Sequence, residues 1–109
     1  MKAILLAAGL GTRLRPLTDK VPKCLVPIRG KPLLGYWLDV LNQCDVEEIL
    51  INTHYHADQV EKFVISYAST GIVNTVYEPY LLGTAGTIRK NSKFFRRSEP
   101  SLVIHADNF

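Results

Sequence analysis

At 109 residues, 47% of them hydrophobic and 21% charged, the chain has room for one small domain and the composition of an ordinary soluble globular protein. No purely apolar run approaches the roughly 20 residues that a bilayer-spanning helix needs, so the sequence predicts no membrane partner. The net charge of +3 is uneven: residues 1–35 carry seven Lys and Arg against one acidic residue, and residues 36–109 carry six against nine.

The first predicted element is a buried strand over 2–7, "KAILLA", closed by Gly9. The start "MKAILLAAG" resembles a secretory signal, but its apolar run is too short and the basic segment after it does not suit a cleavage site. The expected compartment is the cytoplasm. A loop from Ala8 to about Pro22 follows, with Gly9, Gly11, Arg13, Arg15 and Lys20; Lys23 lies just beyond, and only Asp19 balances them. Clustered like charges repel, so this arrangement predicts an anionic ligand. A nucleic-acid binder would more often spread such charge along a helix or stripe and add aromatics. Cations among glycines point to a compact phosphate group, with no nucleic acid as partner.

"CLVPIRGKP" reads as a short extended stretch with a turn near Arg29 and Gly30. Pro32 suits a helix start, and Leu33, Leu34, Trp37, Leu38 and Leu41 give the following helix an apolar face. A second strand is predicted over 46–52 and an amphipathic helix over 57–69, through Val60, Phe63, Val64 and Tyr67, with Gly71 stopping it. A third strand covers 72–78, a loop turning into a short helix covers 81–95, and a fourth strand covers 101–107. Trp37, Phe63 and Tyr67 sit at core-face spacings and read as packing. Cys24 and Cys44, twenty apart with no CxxC spacing, read as reduced, packed thiols. His54 and His56 have no evident third ligand and belong to the loop before the second helix, which Asp58 helps to start.

Strands alternating with helices predict an α/β fold with a parallel sheet and right-handed crossovers. Ligands of such sheets bind beyond the carboxyl ends of the strands, where strand order reverses. With a strand order of 3-2-1-4, the glycine loop and Asp107, at the ends of strands one and four, would face one crevice. A carboxylate beside bound phosphates is best explained by a shared Mg²⁺. Strand four would be left as an exposed edge, from which the chain is expected to be the front half of a longer domain. A complete short chain pairing that edge with a second copy, as a homo-oligomer, is the other possibility.

Three phosphate loops are weighed. A P-loop needs GxxxxGK[ST], and no glycine here precedes Lys-Ser or Lys-Thr. A dinucleotide fingerprint needs GxGxxG and an acidic residue ending strand two; "GLGTRL" has Leu14 in place of the third glycine, and strand two ends at Asn52 and Thr53. The third is carried by "LLAAGLGTRLRPLTDKVPKCLVPIRGKPLL", with "LGTAGTI" (82–88) and "HADNF" (105–109) in order behind it. These resemble the signature of the sugar-1-phosphate nucleotidylyltransferases, and the likeness covers essentially the whole chain.

The resemblance implies a Rossmann-like three-layer fold of the nucleotide-diphospho-sugar transferase type, with residues 1–109 as the nucleotide-binding half and the sugar-binding half absent. It implies attack by a sugar 1-phosphate on the α-phosphorus of a nucleoside triphosphate, giving an NDP-sugar and pyrophosphate. By that likeness Arg13 neutralises the triphosphate and leaving pyrophosphate, Lys23 sits between the two substrates' phosphates, and Asp107 is a Mg²⁺ ligand. Ala8, Gly9, Gly11, Thr12, Arg15, Gly83 and Thr84 join them in substrate binding. Glu78 stands where a thymidylyl member carries Gln. A carboxylate only accepts hydrogen bonds. Guanine offers N1–H and its 2-amino group side by side, so the reading leans to GTP and mannose 1-phosphate, with "EPYLLGTAG" similar to the guanylyltransferase branch. Uridylyl, thymidylyl, cytidylyl and adenylyl transfer stay open, as does a nucleotide-binding sensor without catalysis. His105, inside strand four, is expected to be packed near the site and not to act as a base. The chain by itself is expected to have little or no activity.

Overall fold

In the computed structural model, residues 1–44, 46–67, 72–95 and 100–106 are described. Asp107, Asn108, Phe109 and Gly71, to which the sequence reading assigns roles or motif positions, lie outside them. The elements are β1 (Lys2–Leu6), β2 (Pro27–Ile28), β3 (Lys31–Pro32), α1 (Leu33–Gln43), β4 (Glu48–Thr53), α2 (Ala57–Tyr67), β5 (Val73–Tyr77), α3 (Gly83–Lys90) and β6 (Ser101–His105).

Four strands form one parallel sheet in the order β5-β4-β1-β6. In chain order these are the third, second, first and fourth main strands. The expectation of four strands in all misses two others: the extended stretch at 27–32 closes on itself as the hairpin β2–β3. Arg29 and Gly30 both have positive φ, 52° and 78°, the backbone a two-residue hairpin turn needs.

Strand pleating divides the sheet residues between two faces. Ala3, Leu5, Ile49 and Ile51 point to one and pack against Leu34, Leu38 and Leu41 of α1 and Val60 and Val64 of α2. Each fully buried aliphatic side chain there contributes about 1.5–3 kcal/mol. Trp37, Phe63 and Tyr67 lie at the margin of this core. The opposite face carries Lys2, Ile4, Leu50 and Asn52, all buried. Lys2 Nζ donates to the Phe94 carbonyl (2.8 Å), and Asn52 Nδ2 reaches Thr87 Oγ1 (3.3 Å), so α3 and the turn after it cover this face. The result is three layers, helix–sheet–helix. Among the described residues β6 pairs with β1 alone, and Leu102 and Val103 are exposed on it, as expected for an edge. No helix of the described residues is long and apolar enough to cross a membrane.

A polar latch ties the hairpin to both helices. Lys31 Nζ pairs with Asp39 Oδ2, and the Tyr67 hydroxyl donates to Asp39 Oδ1. Lys31 also lies over the ring of Tyr36, 4.9 Å from its centroid. The hydrogen bond to Asp39 raises the pKa of Lys31 and of Tyr67, and the bonds from Lys31 and then Tyr67 lower that of Asp39. Pro32 sits one residue ahead of the first helical position of α1, closing β3, instead of inside the helix. Of the two thiols, Cys24 is packed in the core; Cys44 is exposed, a correction to the expectation for both, because it follows the last turn of α1 where the apolar face has ended.

Candidate functional site

Where β1, β4 and β6 end, their carboxyl ends and the start of α3 enclose a cleft of about 440 Å³. The order reversal puts it there: β4 leaves β1 on one side and β6 on the other, with Leu6 opposite both Asn52 and His105. Of the residues anticipated for binding or catalysis, Ala8, Gly9, Gly11, Thr12, Arg13, Lys23, Glu78, Gly83 and Thr84 line it. Arg15 does not. It turns to Asp19 (Nε to Oδ1, 3.4 Å), so the loop's acidic residue is spent on Arg15. Arg13 forms no ion pair among the described residues and lines the cleft.

The glycine loop holds its shape through specific contacts. Gly11 has φ +66°, and a Cβ there would lie 2.7 Å from Thr18 Cγ2, so no other residue fits without displacement. Buried Thr18 donates from Oγ1 to the Gly11 carbonyl (2.5 Å). A Cβ at Gly9, by contrast, would meet no protein atom within 4 Å. From the β4–α2 connection His56 Nε2 donates to the Asp19 carbonyl (3.2 Å), and from the first turn of α2 Gln59 Nε2 donates to that of Lys20 (2.7 Å), fastening the far side of the loop. That is what "THYHAD" does here; among the described residues no three His, Cys, Asp or Glu could share a metal ion.

Glu78 closes the other end of the cleft and is 1% exposed. Its backbone is held twice: the N–H donates to the Thr53 carbonyl (2.7 Å), and the carbonyl accepts from His54 Nδ1 (2.7 Å). Its Oε2 accepts from Thr87 Oγ1 (2.6 Å) and from Asn52 Nδ2 (3.3 Å). Asn52 Oδ1 accepts the Ala7 N–H (2.6 Å).

Sequence reasoning passed over Asn52 and Thr87, although Asn52 carried a signal: a polar residue inside the apolar run "EILIN" must find partners when buried. Leu6, Ala7, Cys24 and Leu81 also line the cleft without having been anticipated. His105 lines it too and is exposed, not packed, because it points to the face of β6 opposite Ile104, which packs on the core. The backbone just before Asp107 is pinned at this wall, with the Ala106 N–H donating to the Leu6 carbonyl (3.1 Å).

Three comparisons bear on this geometry. Residues 2–109 match the family model described as nucleotidyl transferase. The N-acetylmuramate alpha-1-phosphate uridylyltransferase of Neisseria meningitidis serogroup B is 41% identical over 110 residues, covering 98% of this chain and 47% of that protein. Among solved structures, the CTP:phosphocholine cytidylyltransferase LicC of Streptococcus pneumoniae superposes with a TM-score of 0.83 at 34% identity, over 99% of this chain and 45% of that one. HddC of Yersinia pseudotuberculosis, solved with GMP-PN, gives 0.82 at 34% identity, over 97% and 47%. The chain thus spans about half the length of these relatives. A family match running from β1 through the last described strand, on a fold shared with nucleotidyltransferases, makes the chain a member of the nucleotidyl transferase family.

Proposed function

We propose that residues 1–109 are the nucleotide-binding half of a sugar-1-phosphate nucleotidylyltransferase that transfers a nucleoside monophosphate, best matched by GMP, to mannose 1-phosphate or a relative. The observation that carries this reading is Arg13, without an ion-pair partner among the described residues, beside Gly9 and Gly11 in a cleft at the end of β1. A polyanion needs charge and close backbone approach together.

In the reaction a sugar-phosphate oxygen forms a bond to the α-phosphorus, and the bond from that phosphorus to the bridging oxygen of the β-phosphate breaks with its electron pair going to pyrophosphate. The attacking oxygen is already ionised at neutral pH, so no general base is required. Catalysis then rests on positioning and on neutralising charge. Arg13 forks onto the triphosphate and follows the charge onto the leaving pyrophosphate. Lys23 lies between the α-phosphate and the incoming sugar phosphate and lowers their repulsion. Glu78 accepts hydrogen bonds from the base.

Mg²⁺ takes one or two carboxylates plus phosphate oxygens, so a cation shared with substrate needs no protein cage. Asp107, next to the pinned Ala106, would hold it, and when bound it would supply further charge neutralisation. Nucleoside triphosphates and sugar phosphates are cytoplasmic metabolites, which supports the cytoplasm as the compartment.

Titrating the chain with GTP, UTP, CTP and ATP tests the binding step. GTP is expected to bind at least tenfold tighter than ATP; equal affinity for all four, or no binding, would reject the reading. Pyrophosphate release is expected from a protein carrying this chain at the length of its relatives, and little or none from the 109 residues alone.

A further inference from the structure

We infer that Thr87 and Asn52 are positioning residues for nucleotide choice: they commit one oxygen of Glu78 to the protein and leave the other as the sole acceptor offered to the base. This rests on the reading of Glu78 as the residue that meets the base.

The polarity of the network is forced. The Ala7 N–H can only donate, so the atom facing it at 2.6 Å is the Asn52 oxygen, and the Asn52 amide nitrogen must point to Glu78 and Thr87. The Thr87 hydroxyl takes one hydrogen from that nitrogen (3.3 Å) and gives its own to Glu78 Oε2 (2.6 Å). Oε2 therefore receives two donors. All three residues are at least 96% buried, where a displaced polar group cannot turn to water instead. Among the described residues Oε1 has no hydrogen-bond partner, and Glu78 lines the cleft.

The base thus meets a single fixed acceptor. Guanine N1–H and uracil N3–H can donate to it. Adenine N1 and cytosine N3, at the matching ring positions, are themselves acceptors and repel it, and their amino groups can donate to it only if the base shifts from that pose. Guanine keeps an advantage over uracil only through its neighbouring 2-amino group, sharing Oε1. The sharper division falls between bases with a ring N–H and bases without one. Loss of the Thr87 hydroxyl would let the carboxylate rotate and blur it.

The test measures equilibrium affinities of the chain for GTP, UTP, ATP and inorganic tripolyphosphate, which has no base. Thr87→Val keeps the shape and removes the hydroxyl. It is expected to lower the GTP-to-ATP affinity ratio about tenfold, with tripolyphosphate affinity changed less than twofold. Thr87→Ser is expected to restore the ratio, and thermal melting checks that each variant folds. If the Thr87→Val variant misfolds, the ratio in Thr87→Ser and in Asn52→Asp, which turns the donor facing Glu78 into an acceptor, decides: the first must keep it and the second must lower it. Glu78→Gln separates the two ideas. If Glu78→Gln shifts the ratio and removal of the hydroxyl does not, the positioning role is overturned while the base contact stands. If Glu78→Gln leaves the ratio alone, or the wild-type chain binds no nucleotide, both fall. A drop in tripolyphosphate affinity parallel to that for GTP would show a general structural role and overturn the inference as well.

Discussion

Arg13 and Arg15 are two residues apart and look equivalent in "GTRLRP", yet they have different surroundings. Arg15 is paired with Asp19 at the surface, both more than half exposed, and such a pair is worth little. Arg13 faces the cleft. Arg13→Ala is therefore expected to weaken tripolyphosphate and GTP binding at least tenfold, about 1.4 kcal/mol or more, and Arg15→Ala by less than about twofold. Calorimetric titration at low and high salt checks this: the Arg13 variant loses part of the salt dependence, because a charge that meets the ligand has been removed. Equal losses from the two variants would contradict the distinction.

Among the elements, the hairpin β2–β3 matters because it carries Lys31 to Asp39 on α1 and Tyr67 on α2. The sign of its pH dependence follows from the shifts. The pKa of Asp39 is lowered in the fold, so its contribution is present above the ordinary carboxylate range and is lost as pH falls through the folded value. Those of Lys31 and Tyr67 are raised, so theirs are present below their ordinary values and are lost as pH rises through the folded ones. Between those limits the latch is intact. Asp39→Asn is expected to lower the melting temperature at neutral pH, with a deficit that shrinks below about pH 4 and above about pH 10. A deficit constant from acid to alkali, in thermal melts across that range, would show that the ionic contacts contribute nothing. The hairpin was legible as a turn at Arg29–Gly30. The latch was not, because Lys31, Asp39 and Tyr67 lie on three separate elements and no spacing rule joins them.

For the molecule as a whole, ligand binding and folding are linked, since the cleft exists only where β1, β4, β6 and α3 converge. A ligand held at about 100 times its dissociation constant stabilises the folded state by about 2.7 kcal/mol. In a domain of this size that is a rise in melting temperature of roughly 10–20 °C. At a fixed GTP concentration the rise is expected to be larger with Mg²⁺ than without it, and Asp107→Asn is expected to abolish that difference while leaving the Mg²⁺-free shift in place. Thermal melts of both proteins check this; equal shifts with and without the ion in the wild-type chain would remove the metal from the account.

What the amino-acid order determined by itself was whatever repeats locally or is carried by near neighbours. The apolar runs at 2–6 and 48–53 became strands, the spacing of Leu34, Leu38 and Leu41 became a buried helix face, and the alternation of elements became a parallel sheet. The glycine loop also showed itself, because its charges and glycines are contiguous. Tertiary structure alone decided which of two neighbouring arginines faces the cleft, which backbone carbonyls His54 and His56 brace, and that Asn52, Glu78 and Thr87 form one network. These three residues come from β4, the end of β5 and α3, separated by 26 and 9 positions along the chain. Hydrogen bonds depend on distance and direction in space, and a sequence records neither until the sheet has set the strand ends side by side.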